Sequence, residues 1–442
     1  MDTTRDFTTG PIVGPLIHFS LPILAALFLQ ALYGAVDLLV VGKYAATADV
    51  SGVAVGSQIM MTVTGLISSL AMGSTILLGQ RLGMKVEKDC GSVIGVSIAF
   101  FGLVGLVLTI LLPALSSVLA RLMNAPEEAL RETRQYIAVC GGGSLAIVAY
   151  NVLGSVMRGL GDSRTPLMTV AIACAVNIAG DLLLVEVFHL GAAGAAITTV
   201  AAQLVSVLVS FLVLCRRSLP FPFSRRDIRL DRRFLRPMLH FGAPIALQDV
   251  LVSLSFLVIL SIANSLGLAA SAGVGVAEKV CGFIMLTPAA FMQAMSAFVA
   301  QNHGAGKPER AIEGLKTAIG LSTAFGVAMF WLAFFHGDLL CGAFSSDPEV
   351  VAAGFDYLKA YGIDCLLTCF LFCFIGFYNG LGRTGFVMLQ GIAAAFLIRI
   401  PVAYIMCKTT GRLFYIGLGI PCSTVFQILL CFAYFSRVRK QR

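Results

Sequence analysis

Long runs of hydrophobic residues, separated by short polar segments, recur along the whole chain. A membrane-crossing helix needs about 20 mainly apolar residues, so the pattern predicts an all-α integral membrane protein with twelve transmembrane helices. The predicted spans are 16–42, 52–80, 91–119, 134–157, 166–188, 191–215, 238–263, 272–300, 314–336, 354–379, 386–407 and 414–436. The short turn at 189–191 makes the fifth and sixth spans the pair most easily miscounted.

The two halves of the chain repeat each other. The sequence LIHFSLP at 16–22 returns as MLHFGAP at 238–244. At an offset of 221 residues, three further motifs return: 51–55 at 272–276, 79–83 at 300–304, and 158–161 at 379–382. Each half holds six spans, so both halves enter the membrane in the same orientation. This predicts two six-helix bundles related by a pseudo-two-fold axis along the membrane normal, with substrate bound between them.

Basic residues predict the orientation. With both termini in the cytoplasm, the inside segments contain 22 lysines and arginines and the outside segments contain 7, as the positive-inside rule requires. We therefore expect a multi-pass plasma-membrane protein with an N-terminal lobe at 1–215, a basic cytoplasmic loop at 216–237 and a C-terminal lobe at 238–442. The arginines of the loop are expected to mark orientation and to contact anionic lipid headgroups.

Composition narrows the function classes. Charged residues make up 12% of the chain, against about 25% in soluble proteins. The net charge of +8 does not indicate nucleic acid, because the basic residues lie in short segments between apolar runs. The sequence contains no metal-ligand cluster, nucleophile elbow or histidine-rich constellation, so we expect neither an enzyme nor a cofactor beyond a coupling ion.

Ionisable residues inside the predicted spans of the first half are the main functional candidates, because charges in a bilayer are costly and usually functional. Asp37 lies about 9 Å and Asp181 about 12 Å below the outer surface. Asn177 shares a helix face with Asp181, Thr199 lies at a similar depth, and Tyr136 begins span 4. Two close carboxyl groups can hold a proton, and the same oxygen atoms can surround Na⁺, so both ions stay open.

The remaining candidates are weaker. Residues that could line a cavity or contact substrate are Asp249, Asp364, Asn151 and Arg399. Pro22 removes a helix hydrogen bond, which favours bending of span 1 when Asp37 changes protonation. Embedded acids outnumber embedded bases five to two, which favours a cationic cargo. The repeat places the apolar stretch 258–260 at the position of Asp37, so ion coupling is expected in the N-terminal half.

The order and spacing of several motifs resemble those of the multidrug and toxic compound extrusion (MATE) family, in particular its bacterial DinF-like branch. The motifs are Pro22 followed by Asp37 within 36–42, Gly79-Gln80 with Gly83, RGLGDSRTP at 158–166, NIAGD at 177–181 and GAAITT at 194–199. The resemblance covers nearly the whole chain. It departs from the family at Gly154, where an asparagine often stands, and in the absence of a clear match to the span 7 glutamate of other branches.

The resemblance implies a polyspecific secondary antiporter that exports bulky cationic or amphipathic compounds in exchange for H⁺ or Na⁺. It also implies a cation site, with Na⁺ at Asp37 and Asp181 if sodium is the coupling ion. The implied site residues are Asp37, Asn177, Asp181, Thr199 and Tyr136, the same residues that depth brings together.

Two other transporter classes are alternatives. A flippase for lipid-linked oligosaccharide or polysaccharide shares the superfamily fold, but it usually carries a more cationic cavity. A major-facilitator transporter also has two six-helix halves, but its acidic-then-paired-basic loop pattern is absent from this sequence. We expect a monomer whose partners are small-molecule substrates and membrane lipids.

Overall fold

The computed structural model describes residues 6–216 and 221–440. Within these ranges the regular structure is helical, without strands. Eleven helices are long and apolar enough to cross a membrane, and one bent pair of helices passes the same test together. Counted as one span, the pair brings the number to the predicted twelve. The prediction of an all-α membrane protein is confirmed.

The spans are numbered α1 to α12 in chain order. They are α1 Val13–Tyr44, α2 Thr47–Gly83, α3 Lys88–Leu122, α4 Glu127–Gly142 with Ser144–Gly159, α5 Arg164–Val187, α6 Gly191–Arg216, α7 Arg232–Asn264, α8 Leu268–Gly304, α9 Pro308–Phe335, α10 Pro348–Gly380, α11 Thr384–Thr410 and α12 Leu413–Arg437. A short helix, Gly337–Gly342, lies between α9 and α10.

The interrupted span is α4, which bends by 56° between its two parts. The bend falls in the run Gly141 to Gly143, where a Cβ on Gly141 would lie 2.9 Å from the ring of Pro113. Glycines at this point permit both the bend and the close approach of α3. The turn at 189–191 instead keeps α5 and α6 separate, because His189 and Gly191 both adopt a positive φ, 53° and 52°.

The repeated motifs form the same structures in both halves. A Cβ on Gly52 would lie 2.9 Å from the backbone nitrogen of Thr133, and a Cβ on Gly273 would lie 2.7 Å from that of Gly354. These glycines therefore permit close helix packing in each half. Gly161 and Gly382 adopt φ values of 78° and 75° just after α4 and α10, a left-handed conformation that favours glycine at a helix end.

One residue of the RGLGDSRTP motif, Asp162, caps the start of α5. Asp162 is fully buried. Its Oδ1 accepts hydrogen bonds from the backbone nitrogens of Arg164 and Thr165 at 3.0 and 3.1 Å, and its Oδ2 accepts one from the Thr165 hydroxyl at 2.5 Å. These bonds satisfy backbone N–H groups that the helix itself leaves without partners. The aspartate of this motif therefore has a structural role.

The chain forms two compact units. The first comprises residues up to Thr9, Leu21–Ala243 and Gly304–Gly306, and the second comprises Gly10–Ser20, Pro244–His303 and the chain from Lys307 onward. The divisions within α1 and α7 thus fall beside Pro22 and Pro244. These divisions differ from the predicted boundaries 1–215, 216–237 and 238–442. The first turns of α1 belong to the second unit, and the first turns of α7 belong to the first unit. Residues 217–220 of the predicted loop lie outside the described ranges.

The first turns of α7 pack tightly on α2 within the first unit. A Cβ on Gly73 would lie 2.9 Å from the backbone nitrogen of Gly242 and would overlap the carbonyl of Met238. The hydroxyl groups of Ser74 and Ser97 lie 3.2 and 3.5 Å from the sulfur of Met238. Backbone meets backbone at this crossing, so it leaves no room for a side chain at position 73.

Candidate cation site

The five predicted site residues converge within the first unit. Asp37 comes from α1, Tyr136 from the first part of α4, Asn177 and Asp181 from α5, and Thr199 from α6. Thr199 is half-buried. The other four are buried, with at most 4% of their surface exposed.

The side chains of these residues form one hydrogen-bonded group around Asp37. The amide of Asn177 donates to Asp37 Oδ1 at 3.2 Å, and the hydroxyl of Thr199 donates to Asp37 Oδ2 at 3.4 Å. The carboxyl groups of Asp37 and Asp181 lie within hydrogen-bonding reach of each other. The hydroxyl of Tyr136 lies beside that of Thr199. Two carboxyl groups so close together do not readily carry two negative charges at once, so the pair favours holding a proton or sharing one cation.

Glycines and a helix cap hold these helices in place. The ring of Tyr136 rests on Gly56 of α2, where a Cβ would lie 3.0 Å from its Cγ atom. Gly194 of α6 similarly lies against the backbone of Leu184, 3.2 Å from where its Cβ would stand. Asp49 Oδ1 accepts the backbone N–H of Ala192 at 2.8 Å and so caps the start of α6. Site residues are therefore positioned by close backbone packing.

Thr198 is a site residue that sequence reasoning missed. It is buried, and its hydroxyl donates to Asp181 Oδ1 and also lies 2.9 Å from the carbonyl oxygen of Ala195 in its own helix. A Cβ on Gly180 would lie 2.6 Å from the Thr198 methyl group, so Gly180 leaves room for this side chain. Adjacent residues on a helix point about 100° apart, which is why Thr198 reaches α5 while Thr199 reaches α1.

Two buried acceptor atoms of the site have no hydrogen-bond partner in the described part of the chain. They are Asn177 Oδ1 and Asp181 Oδ2. Leaving such an atom unpaired costs about 1–3 kcal/mol, so a proton or a small cation placed among these oxygens is stabilised. Directly after Asp181 the chain forms a π-helical turn, Leu182–Val187, and such turns are frequent at functional sites.

A second polar layer lies one helical turn from the site. The amide of Gln203 lies 3.5 Å from the hydroxyl of Tyr33, and the amide of Gln30 donates to the hydroxyl of Tyr150 at 2.6 Å. The sequence carried a signal for this layer, since Tyr33 precedes Asp37 by four residues and Gln203 follows Thr199 by four. That spacing places each pair on one helix face.

Two of the weaker candidates are buried in the second unit. Asp364 accepts a hydrogen bond from Thr368 at 2.7 Å. Arg399 donates to Ser255 at 3.0 Å and to Ser423 at 3.3 Å, and its guanidinium lies 4.4 Å from the ring centre of Phe256. With 5% of its surface exposed, Arg399 is held inside the unit by these contacts.

The other candidates have different surroundings. The Asn151 amide donates to the carbonyl of Ile147 in its own helix at 2.8 Å, which is a local structural bond. Asp249 is exposed. Pro22 lies within α1, which is continuous from Val13 to Tyr44.

The resemblance to the MATE family implies that this site binds a coupling cation, and on that basis replacing Thr198 by valine is expected to slow cation-coupled export about tenfold, because a hydrogen bond to a charged group is worth about 1.5–3 kcal/mol. Thr198→Ser, which keeps the hydroxyl, should retain most of the rate. The measurement is the initial rate of gradient-driven dye export from reconstituted vesicles. Thr169→Val is the matched control, since Thr169 is also buried and its hydroxyl donates to the carbonyl of Pro166 in its own helix, at 3.0 Å. Equal rates for the two valine variants would contradict a role for Thr198 in the site.

A model of one transporter family, MatE, matches the chain over residues 22–183 and 244–405. The chain belongs to the MATE family. The two matches begin at Pro22 and Pro244, so the internal repeat consists of two copies of the MATE unit. Membership makes this multi-pass membrane protein a transporter rather than an enzyme.

Similar proteins extend the match to nearly the full length. The probable multidrug resistance protein YpnP of Bacillus subtilis is 30% identical over 446 residues, covering 97% of this chain and 96% of that protein. The probable multidrug resistance protein YoeA of the same organism is 26% identical over 441 residues, with coverage of 96% and 93%. A MATE family transporter of the MOP superfamily, solved in an outward-facing conformation, has a TM-score of 0.91 at 20% identity, covering 100% of this chain and 99% of its own. The resemblance to the MATE family is thus confirmed, while the DinF-like branch stays a prediction.

Proposed function

We propose that this chain is a secondary active multidrug antiporter, which exports bulky cationic or amphipathic compounds in exchange for H⁺ or Na⁺ by alternating access. The coupling cation binds at Asp37 and Asp181, with Asn177, Thr199 and Tyr136 around them. The protein works as a monomer in the plasma membrane with both termini in the cytoplasm. Its relatives named as multidrug resistance proteins support the cargo class.

The observation that carries the proposal is the buried pair of carboxyl groups. Asp37 and Asp181 come from two different helices and lie within hydrogen-bonding reach of each other. Each accepts hydrogen bonds from neutral side chains, Asn177 and Thr199 at Asp37 and Thr198 at Asp181, and neither forms a salt bridge within the described ranges. A structural role would be served by a lysine or arginine partner, because an uncompensated charge in the membrane is costly. A pair surrounded by amide and hydroxyl groups instead suits a cation that arrives and leaves.

Cation binding can be transmitted along α1. Asp37 lies fifteen residues after Pro22 on the same helix, and a proline leaves the helix one hydrogen bond short and easier to bend. A change in the bonds at Asp37 then shifts the outer part of α1 about this point. Asp249, Asp364, Asn151 and Arg399 remain proposed contacts of the cargo.

The test is transport by the purified full chain in vesicles loaded with a fluorescent cationic dye. An imposed pH gradient and an imposed Na⁺ gradient are compared at equal ionic strength. We expect dye export with one of the two gradients, stopping when that gradient is dissipated by an ionophore. The gradient that drives export identifies the coupling ion.

Two outcomes would reject the proposal. Dye movement that is equally fast without any gradient would exclude antiport. Movement of a lipid-linked oligosaccharide in the same vesicles, without dye export, would instead support a flippase.

A further inference from the structure

The segment between α6 and α7 is fixed against the first unit along part of its length. The carbonyl oxygen of Pro222 lies 2.5 Å from where a Cβ of Gly91 would stand, and the carbonyl of Asp227 lies still closer to the Cβ position of Gly95. Phe221 is buried, with 6% of its surface exposed, and it packs in the core at the start of α3. The described part of this segment is therefore a fixed element of the unit.

Its acidic residues shape the backbone. Asp227 Oδ2 accepts the backbone N–H of Ser224 at 2.8 Å and its hydroxyl at 3.1 Å, closing the turn Arg225–Asp227. Asp231 Oδ1 accepts the backbone N–H of Arg233 at 2.9 Å and caps α7. The two carboxylates thus stabilise the fold of the segment.

The basic residues of the segment point outward. Exposed arginines between α6 and the second turn of α7 are Arg225, Arg226, Arg229, Arg232, Arg233 and Arg236. Arg233 lies 3.7 Å from Asp89, and Arg229 lies 3.7 Å from Asp231 with 73% of its side chain exposed. The segment contains these six arginines and only the two aspartates, so its net charge is positive.

Exposed apolar side chains alternate with these arginines. Phe223, Ile228 and Leu230 are 36%, 41% and 50% exposed. The segment directly joins two membrane spans, Gly191–Arg216 and Arg232–Asn264, so it lies where the bilayer meets water. A fixed surface that presents both guanidinium and apolar groups at this depth matches a phospholipid, which has an anionic headgroup above acyl chains.

We propose that residues 221–236 form a docking surface for anionic phospholipid, with arginines binding the headgroup phosphate and Phe223, Ile228 and Leu230 contacting the upper acyl chains. Arginine suits this role because its planar guanidinium binds phosphate with two parallel hydrogen bonds. Because the surface is already ordered by Gly91, Gly95 and the two aspartates, binding requires little further ordering. Bound lipid then stabilises the folded first unit.

The test measures the unfolding temperature of the purified full chain in detergent as phosphatidylglycerol is added. Stabilisation by a ligand follows its affinity for the folded state. We expect phosphatidylglycerol to raise the unfolding temperature and an equal amount of phosphatidylcholine to leave it nearly unchanged. In the triple variant Arg225→Gln, Arg226→Gln, Arg232→Gln, half-maximal stabilisation should need about 100-fold more phosphatidylglycerol, because three cationic contacts are lost.

The matched control removes the same charge elsewhere on the first unit. Arg121, Arg131 and Arg134 are also exposed, and their joint replacement by glutamine should leave the phosphatidylglycerol response as in the unmodified chain. An equal loss in both triple variants would overturn the proposal, as would full stabilisation of the loop variant. Soluble glycerophosphoglycerol, which lacks acyl chains, should not protect; protection by it would show a site for a free phosphate ester and reject the lipid.

Discussion

Asp37→Asn is expected to reduce gradient-driven dye export more than 100-fold. Asparagine keeps the size of the side chain and can still accept the hydrogen bond of Asn177 through its one oxygen, while its NH2 group can donate to the Thr199 hydroxyl in place of accepting from it. It cannot carry the negative charge that pairs with a cation. Removing one partner of a buried charge pair costs about 3–5 kcal/mol, and about 3 kcal/mol already corresponds to more than 100-fold in affinity. The measurement is the export rate per reconstituted protein molecule under the driving gradient.

Asp49→Asn is the matched control for this experiment. Asp49 belongs to the same unit and accepts one backbone hydrogen bond at the start of α6, a role that asparagine fills equally well. Its export rate should stay close to that of the unmodified chain. Unaltered coupled export by Asp37→Asn would reject Asp37 as the coupling residue.

Gly73→Ala is expected to lower the stability of the protein by about 3 kcal/mol. The added methyl group would overlap the carbonyl of Met238 and crowd the backbone of Gly242, so α2 and the first turns of α7 must move apart. Overpacking of this kind typically costs about 1–3 kcal/mol. The upper end applies here, since the obstacle is backbone and not a flexible side chain. Thermal unfolding in detergent, followed by circular dichroism, measures the loss.

Gly65→Ala in the same helix separates packing from helix propensity. Gly65 is exposed and its added methyl group would meet nothing within 4 Å. Alanine is the better helix former by about 1 kcal/mol, so this variant should unfold at the same or a slightly higher temperature. A similar loss of stability in both variants would show that the contact between Gly73 and Gly242 is not the cause.

The sequence was sufficient to predict the spans, because apolar length alone decides which segments cross a bilayer. It could not predict the break in α4. Glycine runs are compatible with a continuous membrane helix, and the bend depends on contacts such as that of Gly141 with Pro113. The position of the unit boundaries within α1 and α7 also depends on tertiary packing, which hydropathy does not report.

The candidate site was predictable where depth and helix spacing were informative. Asp37, Asn177 and Asp181 are polar residues that were predicted to lie at similar depths in the membrane, so they were expected to lie close together. Thr198 was missed because the dipeptide of Thr198 and Thr199 offers two hydroxyl groups, and only the rotation of α6 decides which neighbour each one meets. A rotation of a helix about its axis leaves its hydropathy unchanged.

The first turns of α1 and of α7 belong to a different compact unit from the rest of their own helix. This division has a consequence for biogenesis. Gly10–Ser20 leaves the ribosome early but belongs to a compact unit whose next segment starts at Pro244, and the first unit is incomplete until Gly306 has been synthesised. Segments that have already been synthesised must therefore stay accessible to later parts of their own unit while more than half of the chain is inserted into the membrane. A gene cut between the two repeats would produce fragments that each lack part of their own unit. Such fragments should become functional only when they are produced together.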